Sequence, residues 1–285
     1  MILVTGASGK TGRAVISALT RRQASVRALV RRDDQVQGLR ALGAAEVVVG
    51  DLRNAQVLSQ AAKGVKAIYH ICPNVSPFEV EIGSAVILAA RQEHVSHFVF
   101  HSVLHPQIEE MPHHWLKMRV EERLFESGLP FTILQPAAYM QNILANRDAM
   151  HNEGIFAVPY APETRLSMVD LEDVAEVAAR VLLAPEEHLM ATYELCGCQA
   201  VSQIEVAEIF GQAFGRQVTA RAIPREEWAL RMQELGMDAY ALNTLLRMFV
   251  YYETYGFHGN PKVLSWLLQR APTSLEDFAA RVAAG

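Results

Sequence analysis

The chain has 285 residues, of which 51% are hydrophobic, and a formal net charge of −5. This length allows one large domain or a main domain with a smaller lobe, and the negative charge disfavours nucleic acid as a partner. The longest apolar runs fall far short of the roughly 20 residues that span a bilayer. Because "ILVTG" follows Met1 directly, we expect no secretory leader, no membrane association and a cytoplasmic location. The three cysteines are too few for a disulfide framework, which fits a reducing compartment.

Short β-rich runs alternate with segments of helical length through the first half of the chain. Continuous apolar runs are expected of strands covered on both faces, and the β-α-β order predicts a parallel sheet with right-handed crossovers. We therefore predict an α/β fold, a Rossmann doubly wound parallel sheet with a smaller, mainly helical C-terminal lobe. The predicted strands cover residues 2–6, 25–30, 45–50, 67–72, 97–103 and 131–136.

The composition changes along the chain and indicates two domains. Nine of the ten methionines lie at position 111 or later, and seven of the eight tyrosines lie at position 139 or later. We predict an NAD(P)-binding Rossmann domain over residues 1–150 and a smaller substrate-binding lobe over residues 151–285. A helix over residues 170–184, which begins after an Asp cap and ends before Pro185, is predicted to pack back on the first domain.

The segment "TGASGKTG" places Gly6, Gly9 and Gly12 in a G-x-x-G-x-x-G spacing between the first predicted strand and a helix. Gly6 permits a tight turn, Gly9 lets backbone amides approach a pyrophosphate, and Gly12 allows close packing of helix and strand. This context predicts a dinucleotide site, with a glycine-rich turn that binds no ligand as the alternative. Further cofactor contacts in the loop are predicted for Ser8, Lys10 and Thr11.

About twenty residues further on, an NAD site normally carries an acidic side chain for the ribose hydroxyls, whereas this chain carries Arg31 and Arg32. A guanidinium at this place suits a 2′-phosphate through charge-assisted hydrogen bonds. NADP(H) is therefore preferred over NAD(H). The alternative is that the two arginines only solubilise the chain, since two aspartates follow them immediately. Asp51 and Leu52, at the end of the third strand, are predicted to contact adenine.

Five segments stand out along the chain: "TGASGKTG", "VRALVRR", "VVVGDL", "LPFTILQPAAYMQN" and "VDLEDVAEVAARVL". Together they resemble the NmrA-like branch of the atypical short-chain dehydrogenase/reductase superfamily. The resemblance implies a Rossmann domain and a smaller C-terminal lobe that covers the nicotinamide cleft. Members of this branch include NADPH-dependent reductases of quinones, dyes and lignan-type ethers, and cofactor-sensing regulators without known turnover. The cofactor site is further predicted to include Ile71, Cys72, Pro73, Lys117, Pro136 and Tyr139.

Short-chain dehydrogenases usually carry Tyr-x-x-x-Lys after the fifth strand, and this chain has His113 and Lys117 at that spacing. Lys117 falls with Val120 and Leu124 on one helical face, within an arc of about 60°. A lysine in an apolar stripe needs a partner, and we predict the nicotinamide ribose. His113 is the candidate general acid because histidine titrates near neutral pH; solvation of the helix start is the alternative. Ser102 is predicted to orient a substrate oxygen, or else to cap its loop.

Two clusters of metal-ligand residue types carry no compact metal motif, so no metal is predicted. One comprises His101, His105, His113 and His114 with Glu109 and Glu110. The other is "CGC", Cys196 and Cys198, which we interpret as structural.

The segment "LQPAAYMQN" follows the sixth predicted strand and is expected to pass beside the nicotinamide. Its side chains, with aromatic residues elsewhere, suit a flat aromatic molecule, although at least half of the apolar candidates are expected to be ordinary core. Substrate contacts are predicted for Trp115, Tyr139, Met140, Asn142, Phe156 and Trp228.

We predict an NADPH-dependent oxidoreductase that transfers hydride to a quinone, enone or aromatic carbonyl. A reduced quinone is a stabilised oxyanion, so the missing tyrosine acid matters less than it would for an aliphatic ketone. The alternative is a non-catalytic NADP(H)-binding redox sensor or pathway accessory protein. The expected partner is a small aromatic or quinone-like substrate, and a homodimer or a protein partner is left open.

Overall fold

The structure is a computed structural model that describes residues 1–73, 75–197 and 200–284. Buried strands alternate with helices along its first half, as continuous apolar runs require when both faces of a sheet are covered. In chain order the described strands are β1 (Ile2–Val4), β2 (Val26–Val30), β3 (Glu46–Val49), β4 (Ala67–His70), β5 (His97–His101), β6 (Phe131–Pro136), β7 (Ala138–Tyr139), β8 (Ile155–Val158), β9 (Arg165–Leu166), β10 (Met168–Val169), β11 (Ala191–Leu195), β12 (Val201–Ser202) and β13 (Thr219–Ala222).

Helices connect the strands of the first half and dominate the end of the chain. In chain order the described α-helices are α1 (Lys10–Thr20), α2 (Val36–Ala41), α3 (Ala55–Ala62), α4 (Glu79–Gln92), α5 (Pro112–Phe125), α6 (Arg147–Glu153), α7 (Leu171–Leu183), α8 (Gln203–Phe214), α9 (Arg225–Glu234), α10 (Ala239–Tyr255), α11 (Lys262–Leu268) and α12 (Leu275–Ala284).

The largest sheet among the described residues has seven strands in the order β11-β6-β5-β4-β1-β2-β3. The five neighbouring pairs from β3 to β6 are all parallel. The strand order reverses beside β1, so the carboxyl ends of β1 and β4 border the crevice in which sheets of this kind bind ligands. The predicted Rossmann doubly wound fold is confirmed.

The described chain divides into two compact units. The first unit comprises Met1–Gln107, His113–Gln135 and Val174–Tyr193. Its core is an apolar cluster in which side chains of β1, β4, β5 and β6 pack with α3, α4 and α5. Most of α7, which realises the helix predicted over residues 170–184, belongs to this unit.

The second unit comprises Ile108–Pro112, Pro136–Asp173 and the described part of Glu194–Gly285. The mainly helical character predicted for the end of the chain is present in α8, α9, α10, α11 and α12. Two short strand pairs, β8 with β13 and β9 with β12, were not predicted, because strands this short carry little periodicity. The domain boundary predicted at residue 150 stays a prediction.

A membrane span would need a long apolar helix, and none of the helices in the described ranges meets that requirement. The cytoplasmic location expected from the sequence stays a prediction.

Candidate cofactor and active site

The glycine loop joins β1 to α1 and closes against the end of β4. Gly6 adopts a left-handed φ of +57°, and a Cβ there would lie 2.7 Å from the carbonyl oxygen of Ile71. A Cβ on Gly12 would lie 2.5 Å from the carbonyl oxygen of Gly6. Both distances are too short for real contacts, so the loop closes only with glycine at these two positions. This closure brings Ile71, a predicted cofactor residue, to the glycine turn.

Gly9 has a different reason to be glycine. A Cβ on Gly9 would lie 3.4 Å from the carbonyl oxygen of Gly6, which is an ordinary contact, and its φ of −71° suits any residue. The packing of the loop therefore does not demand glycine here, and the predicted approach of a pyrophosphate to the N-terminus of α1 stays a prediction. Beside it, Ser8 is half-buried and Thr11 is buried, and desolvation lowers the pKa of the Lys10 ammonium.

Arg31 and Arg32 follow β2 and differ in their contacts. Arg32 forms an ion pair with Asp34, with 3.0 Å between Nε and Oδ1. Arg31 is exposed, and its guanidinium makes no hydrogen bond or ion pair with the residues that the structure describes. Arg32 thus already has a carboxylate partner, whereas the charge of Arg31 acts on Asp51 only at longer range and helps to lower the pKa of that carboxyl group. Contact of either arginine with a 2′-phosphate stays a prediction.

Asp51 lies in a contact that the sequence analysis did not foresee. Its Oδ1 accepts a hydrogen bond of 2.8 Å from the backbone N of Arg53, and its Oδ2 lies 3.1 Å from Nη2 of Arg53. These bonds hold the pKa of Asp51 below its usual range. The Arg53 guanidinium lies 5.1 Å from the centre of the exposed Phe78 ring, and Leu52 packs against the core of the first unit. Phe78 is distant in sequence, so no local pattern pointed to it.

Lys117 is held by a carboxylate that the sequence analysis did not identify. Its Nζ lies 2.8 Å from Oε1 of Glu79, 3.5 Å from the carbonyl oxygen of His101 and 5.5 Å from the centre of the Phe100 ring. The side chains of Lys117 and Glu79 are 15% and 4% exposed. Charges this deeply buried need a partner, and each supplies one for the other. The lysine does face a polar partner, as its apolar stripe predicted; contact with a ribose stays a prediction.

This ion pair depends on the packing of α4 against α5. A Cβ on Gly83 would lie 2.7 Å from Cγ1 of Val120, so the two helices approach more closely than a side chain at position 83 would allow. Glu79 lies one turn before Gly83 on the buried face of α4, which continues to Val86. A carboxylate inside the apolar stripe of α4 was therefore the sequence signal that could have identified Glu79. It is the same kind of signal as the lysine inside the apolar stripe of α5.

Ser102, the residue after β5, lies in a buried cluster with Glu121 and Gln135. Its hydroxyl donates a hydrogen bond to Oε1 of Glu121, and Nε2 of Gln135 lies 2.9 Å and 3.0 Å from the two carboxyl oxygens. The three residues are 2%, 3% and 7% exposed. Burial raises the pKa of Glu121, and the hydrogen bonds from Ser102 and Gln135 offset this only in part. The predicted orienting serine thus donates its hydroxyl hydrogen to a carboxyl group of the protein.

His113 is neutral in this environment. Burial lowers its pKa to about 2, with smaller contributions from His114 and Lys117. The near-neutral pKa assumed in the sequence analysis therefore does not hold. Its buried Nδ1 has no hydrogen-bond partner within the described chain, so the ring keeps one nitrogen available for a single hydrogen bond. A role as proton donor stays a prediction.

The other histidines of the alternative metal cluster have protein partners. Nδ1 of His101 lies 2.7 Å from Oη of Tyr69, and Nδ1 of His114 lies 3.2 Å from the carbonyl oxygen of His105. Over residues 1–73, 75–197 and 200–284, no three metal-ligating side chains converge on one point. In the "CGC" segment Cys196 is buried, and Cys198 lies outside the described residues.

Several predicted contact residues belong to the second unit. Met140 and Phe156 are 0% and 2% exposed and pack in its core, and their predicted contacts with a substrate stay predictions. Trp228 is half-buried, and its ring packs edge-on against Phe249 with 4.8 Å between centroids. Tyr139 lies in β7, which pairs with β10. In the same unit Pro136 is buried and Asn142 is exposed.

Three predicted residues of the first unit remain. Burial and the neighbouring Glu79 raise the pKa of the Cys72 thiol. Pro73 is exposed and Trp115 is half-buried. Their predicted contacts with cofactor or substrate stay predictions.

The donors of the first unit fit a phosphorylated dinucleotide. The loop that Gly6 and Gly12 close leaves the N-terminus of α1 open beside Gly9, and Arg31 supplies a guanidinium at the end of β2. Backbone amides and a guanidinium are the groups that bind pyrophosphate and 2′-phosphate. Fold and site together define an NAD(P)-binding protein of the Rossmann class.

The comparisons with known proteins identify the family. The model of the NmrA-like family matches residues 1–280, and the chain belongs to this family. The NAD(P)H azoreductase of Xenophilus azovorans is 34% identical over 250 residues, which cover 86% of each protein. Quinone oxidoreductase 2 of Escherichia coli (strain K12) is 26% identical over 99% of this chain and 98% of that protein. The crystal structure of that NADPH-dependent quinone oxidoreductase in complex with NADPH matches with a TM-score of 0.86 over 99% of both chains.

Proposed function

We propose that this NAD(P)H-dependent reductase uses NADPH and delivers hydride to a flat aromatic acceptor of the quinone or azo type. The carrying observation is the glycine loop with the open guanidinium of Arg31 at the end of β2. The acceptor class is supported by the names of two relatives, an azoreductase and a quinone oxidoreductase.

The roles of the residues follow from their chemistry. Backbone amides at the N-terminus of α1 would hold the pyrophosphate, and Arg31 would hold the 2′-phosphate. Lys117, fixed by Glu79, would bind the nicotinamide ribose and add positive charge near the acceptor. The bound cofactor would supply the hydride.

Cofactor-dependent turnover tests this function. Purified protein should oxidise NADPH faster than NADH when a quinone or an azo dye is present. If no acceptor in a broad panel stimulates NADPH oxidation, the reductase function is wrong. Tight, selective binding of NADPH over NADP⁺ without turnover would instead favour the redox sensor.

The two arginines give a matched test of cofactor preference. We expect Arg31→Ala to raise the KM for NADPH roughly 10- to 100-fold, since a hydrogen bond to a charged group contributes about 1.5 to 3 kcal/mol. The KM for NADH should not change. Arg32→Ala should have a smaller effect because Arg32 is already paired with Asp34. Equal effects of the two substitutions, or an equal effect on NADH, would contradict this assignment of the 2′-phosphate.

A further inference from the structure

The carboxyl group of Glu121 differs from the other deeply buried carboxyl groups of the described chain. The carboxylates of Glu79, Asp170 and Asp173 lie within 2.8 Å of a lysine or an arginine nitrogen. Glu121 is 3% exposed, and within the described ranges it forms no ion pair, only the hydrogen bonds with Ser102 and Gln135. A carboxyl group without a cationic partner in a low-dielectric site tends to keep its proton.

The position of Glu121 connects it with the proposed reaction. It lies one helical turn after Lys117 on α5. Its hydrogen-bond partner Ser102 directly follows His101, whose carbonyl oxygen lies 3.5 Å from Nζ of Lys117. All of these groups lie at the carboxyl end of β5, the end at which sheets of this kind bind their ligands.

We propose that Ser102 and Glu121 form a proton relay to the reduced acceptor, an inference that rests on the proposed reductase function. In the loaded state the carboxyl O–H of Glu121 donates to Oγ of Ser102, and the Ser102 hydroxyl donates to the anionic atom of the acceptor. As the acceptor takes the hydroxyl proton, Oγ takes the carboxyl proton. One proton leaves Glu121, one reaches the acceptor, and the hydroxyl is restored.

The hydrogen bonds of this structure correspond to the state after transfer. Ser102 donates to the carboxyl oxygen of Glu121, and Gln135 donates to both oxygens. One proton from the solvent then returns to the carboxylate and completes the cycle. Burial raises the pKa of Glu121, while Ser102, Gln135 and the charge of Lys117 lower it. The hydrogen bonds from Gln135 therefore lower the pH below which Glu121 carries the proton that it passes to Ser102.

The relay predicts an effect that depends on the acceptor. Reduction of a quinone leaves a stabilised oxyanion, whereas reduction of an azo group leaves a far more basic nitrogen anion that requires a proton. Glu121→Gln and Ser102→Ala should therefore lower kcat for an azo dye roughly 100-fold or more, as loss of a general acid does, and lower kcat for a quinone much less. Damage to the fold alone would lower both rates alike.

The pH profile provides a second measurement. In the native protein kcat/KM for the azo dye should fall as the pH rises through the pKa of Glu121, because the loaded form is protonated. Glu121→Gln should abolish this alkaline limb. Gln135→Met removes a donor to the carboxylate, so it should move the limb to higher pH.

Infrared spectroscopy tests the loaded state without turnover. A pH titration of the protein alone should reveal a protonated carboxyl band that persists above the ordinary range of glutamate and is missing in Glu121→Gln. Thr132→Val is the matched control, because it disturbs buried hydrogen bonds at the opposite end of the neighbouring strand β6. This control should keep the infrared band and the native ratio of kcat for the azo dye to kcat for the quinone.

Each outcome decides between the two proposals. An active protein whose azo and quinone rates fall equally in Glu121→Gln, or one that lacks the infrared band, overturns the relay alone. Absence of acceptor-dependent NADPH oxidation in the native protein overturns the reductase function and the relay with it. If Glu121→Gln fails to fold, two other measurements decide in its place. They are the azo-to-quinone ratio of kcat in Ser102→Ala and the shift of the alkaline limb in Gln135→Met.

Discussion

Strands β5 and β6 carry buried polar groups at both ends, and the two ends differ in charge. The amino-end cluster consists of His97, Thr132 and His188. The carboxyl-end cluster consists of Glu79, Ser102, Lys117, Glu121 and Gln135. The two clusters border the same strands but hold different kinds of groups, so they separate what the fold needs from what a reaction needs.

The amino-end cluster is neutral. The Thr132 hydroxyl lies 2.9 Å from Nε2 of His97 and donates at 2.6 Å to the carbonyl oxygen of His188. Burial lowers the pKa of His97 to about 4, so the ring is uncharged at neutral pH. The carboxyl-end cluster instead buries an ammonium and two carboxyl groups. Apolar residues would stabilise a core at least as well as buried ions do, so function is the better reason for the charged cluster.

The largest effect should follow loss of the buried ammonium. Lys117→Met leaves the carboxylate of Glu79 unpaired, and we expect a loss of about 3 to 5 kcal/mol in the free energy of unfolding. The value of kcat/KM should fall by roughly 100-fold, because the group that we propose to bind the ribose is lost. Urea unfolding and steady-state kinetics measure the two effects.

A double variant separates the two consequences. Lys117→Met combined with Glu79→Gln removes the unpaired charge, so most of the lost stability should return while the activity stays low. Recovery of activity in the double variant would mean that Lys117 serves only the fold.

A substitution in the amino-end cluster should lower stability but leave activity unchanged. Thr132→Val leaves Nε2 of His97 and the carbonyl oxygen of His188 without this partner, and we expect a loss of about 1 to 3 kcal/mol in the free energy of unfolding. Because no charged group is involved, kcat and KM should not change. A large fall in kcat would break the distinction between the two ends.

In the glycine loop, a substitution should lower cofactor affinity and leave stability unchanged. Gly9→Ala fits the folded loop, so the unfolding temperature should barely change. NADPH affinity should fall at least about tenfold, or ~1.4 kcal/mol, because the methyl group blocks the approach to α1. Gly12→Ala is the control for steric damage and should reduce both quantities. Isothermal titration calorimetry and thermal unfolding measure them, and unchanged NADPH affinity in Gly9→Ala would contradict the proposed pyrophosphate site.

The effect that is smallest at neutral pH concerns stability in acid, in which the two ends of the strands should behave alike. His97 and His101 have pKa values of about 4 and about 3 in the folded state, against about 6.5 when unfolded. The unfolded state therefore binds more protons below pH ~6.5, and stability falls as the pH drops from there. His97→Gln should lower the slope between about pH 6.5 and 4 by at most ~1.4 kcal/mol per pH unit. An unchanged slope in urea unfolding at several pH values would contradict a buried neutral His97.

The sequence contained enough to predict six of the seven strands of the main sheet and the glycine loop, but not the edge strand β11. Apolar runs marked the six strands, and the glycine spacing marked the turn, since both signals are local. Lys117 was found because a charged residue interrupts the apolar stripe of α5. Glu79 carries the same kind of signal on α4, but its importance depends on which helix packs against α5, and a stripe does not specify its partner.

Other features depend on contacts that no local pattern contains. Glu121 lies at the edge of its stripe, and Gln135, 14 residues away in sequence, reaches it only because β6 lies beside β5. Arg31 and Arg32 are equivalent in sequence, and only the folded turn determines which one pairs with Asp34. The pKa of His113 depends on burial, which spacing alone did not reveal.

The close approach of α4 and α5 at Gly83 has a practical consequence for protein engineering. Replacing a helical glycine by alanine is a standard route to thermostability, and it is usually favourable by about 1 kcal/mol. At position 83 the added methyl group would overlap the side chain of Val120 and force the two helices apart. A design chosen for helix propensity would thus widen the gap between Lys117 and Glu79, and a more stable helix would yield a less competent protein.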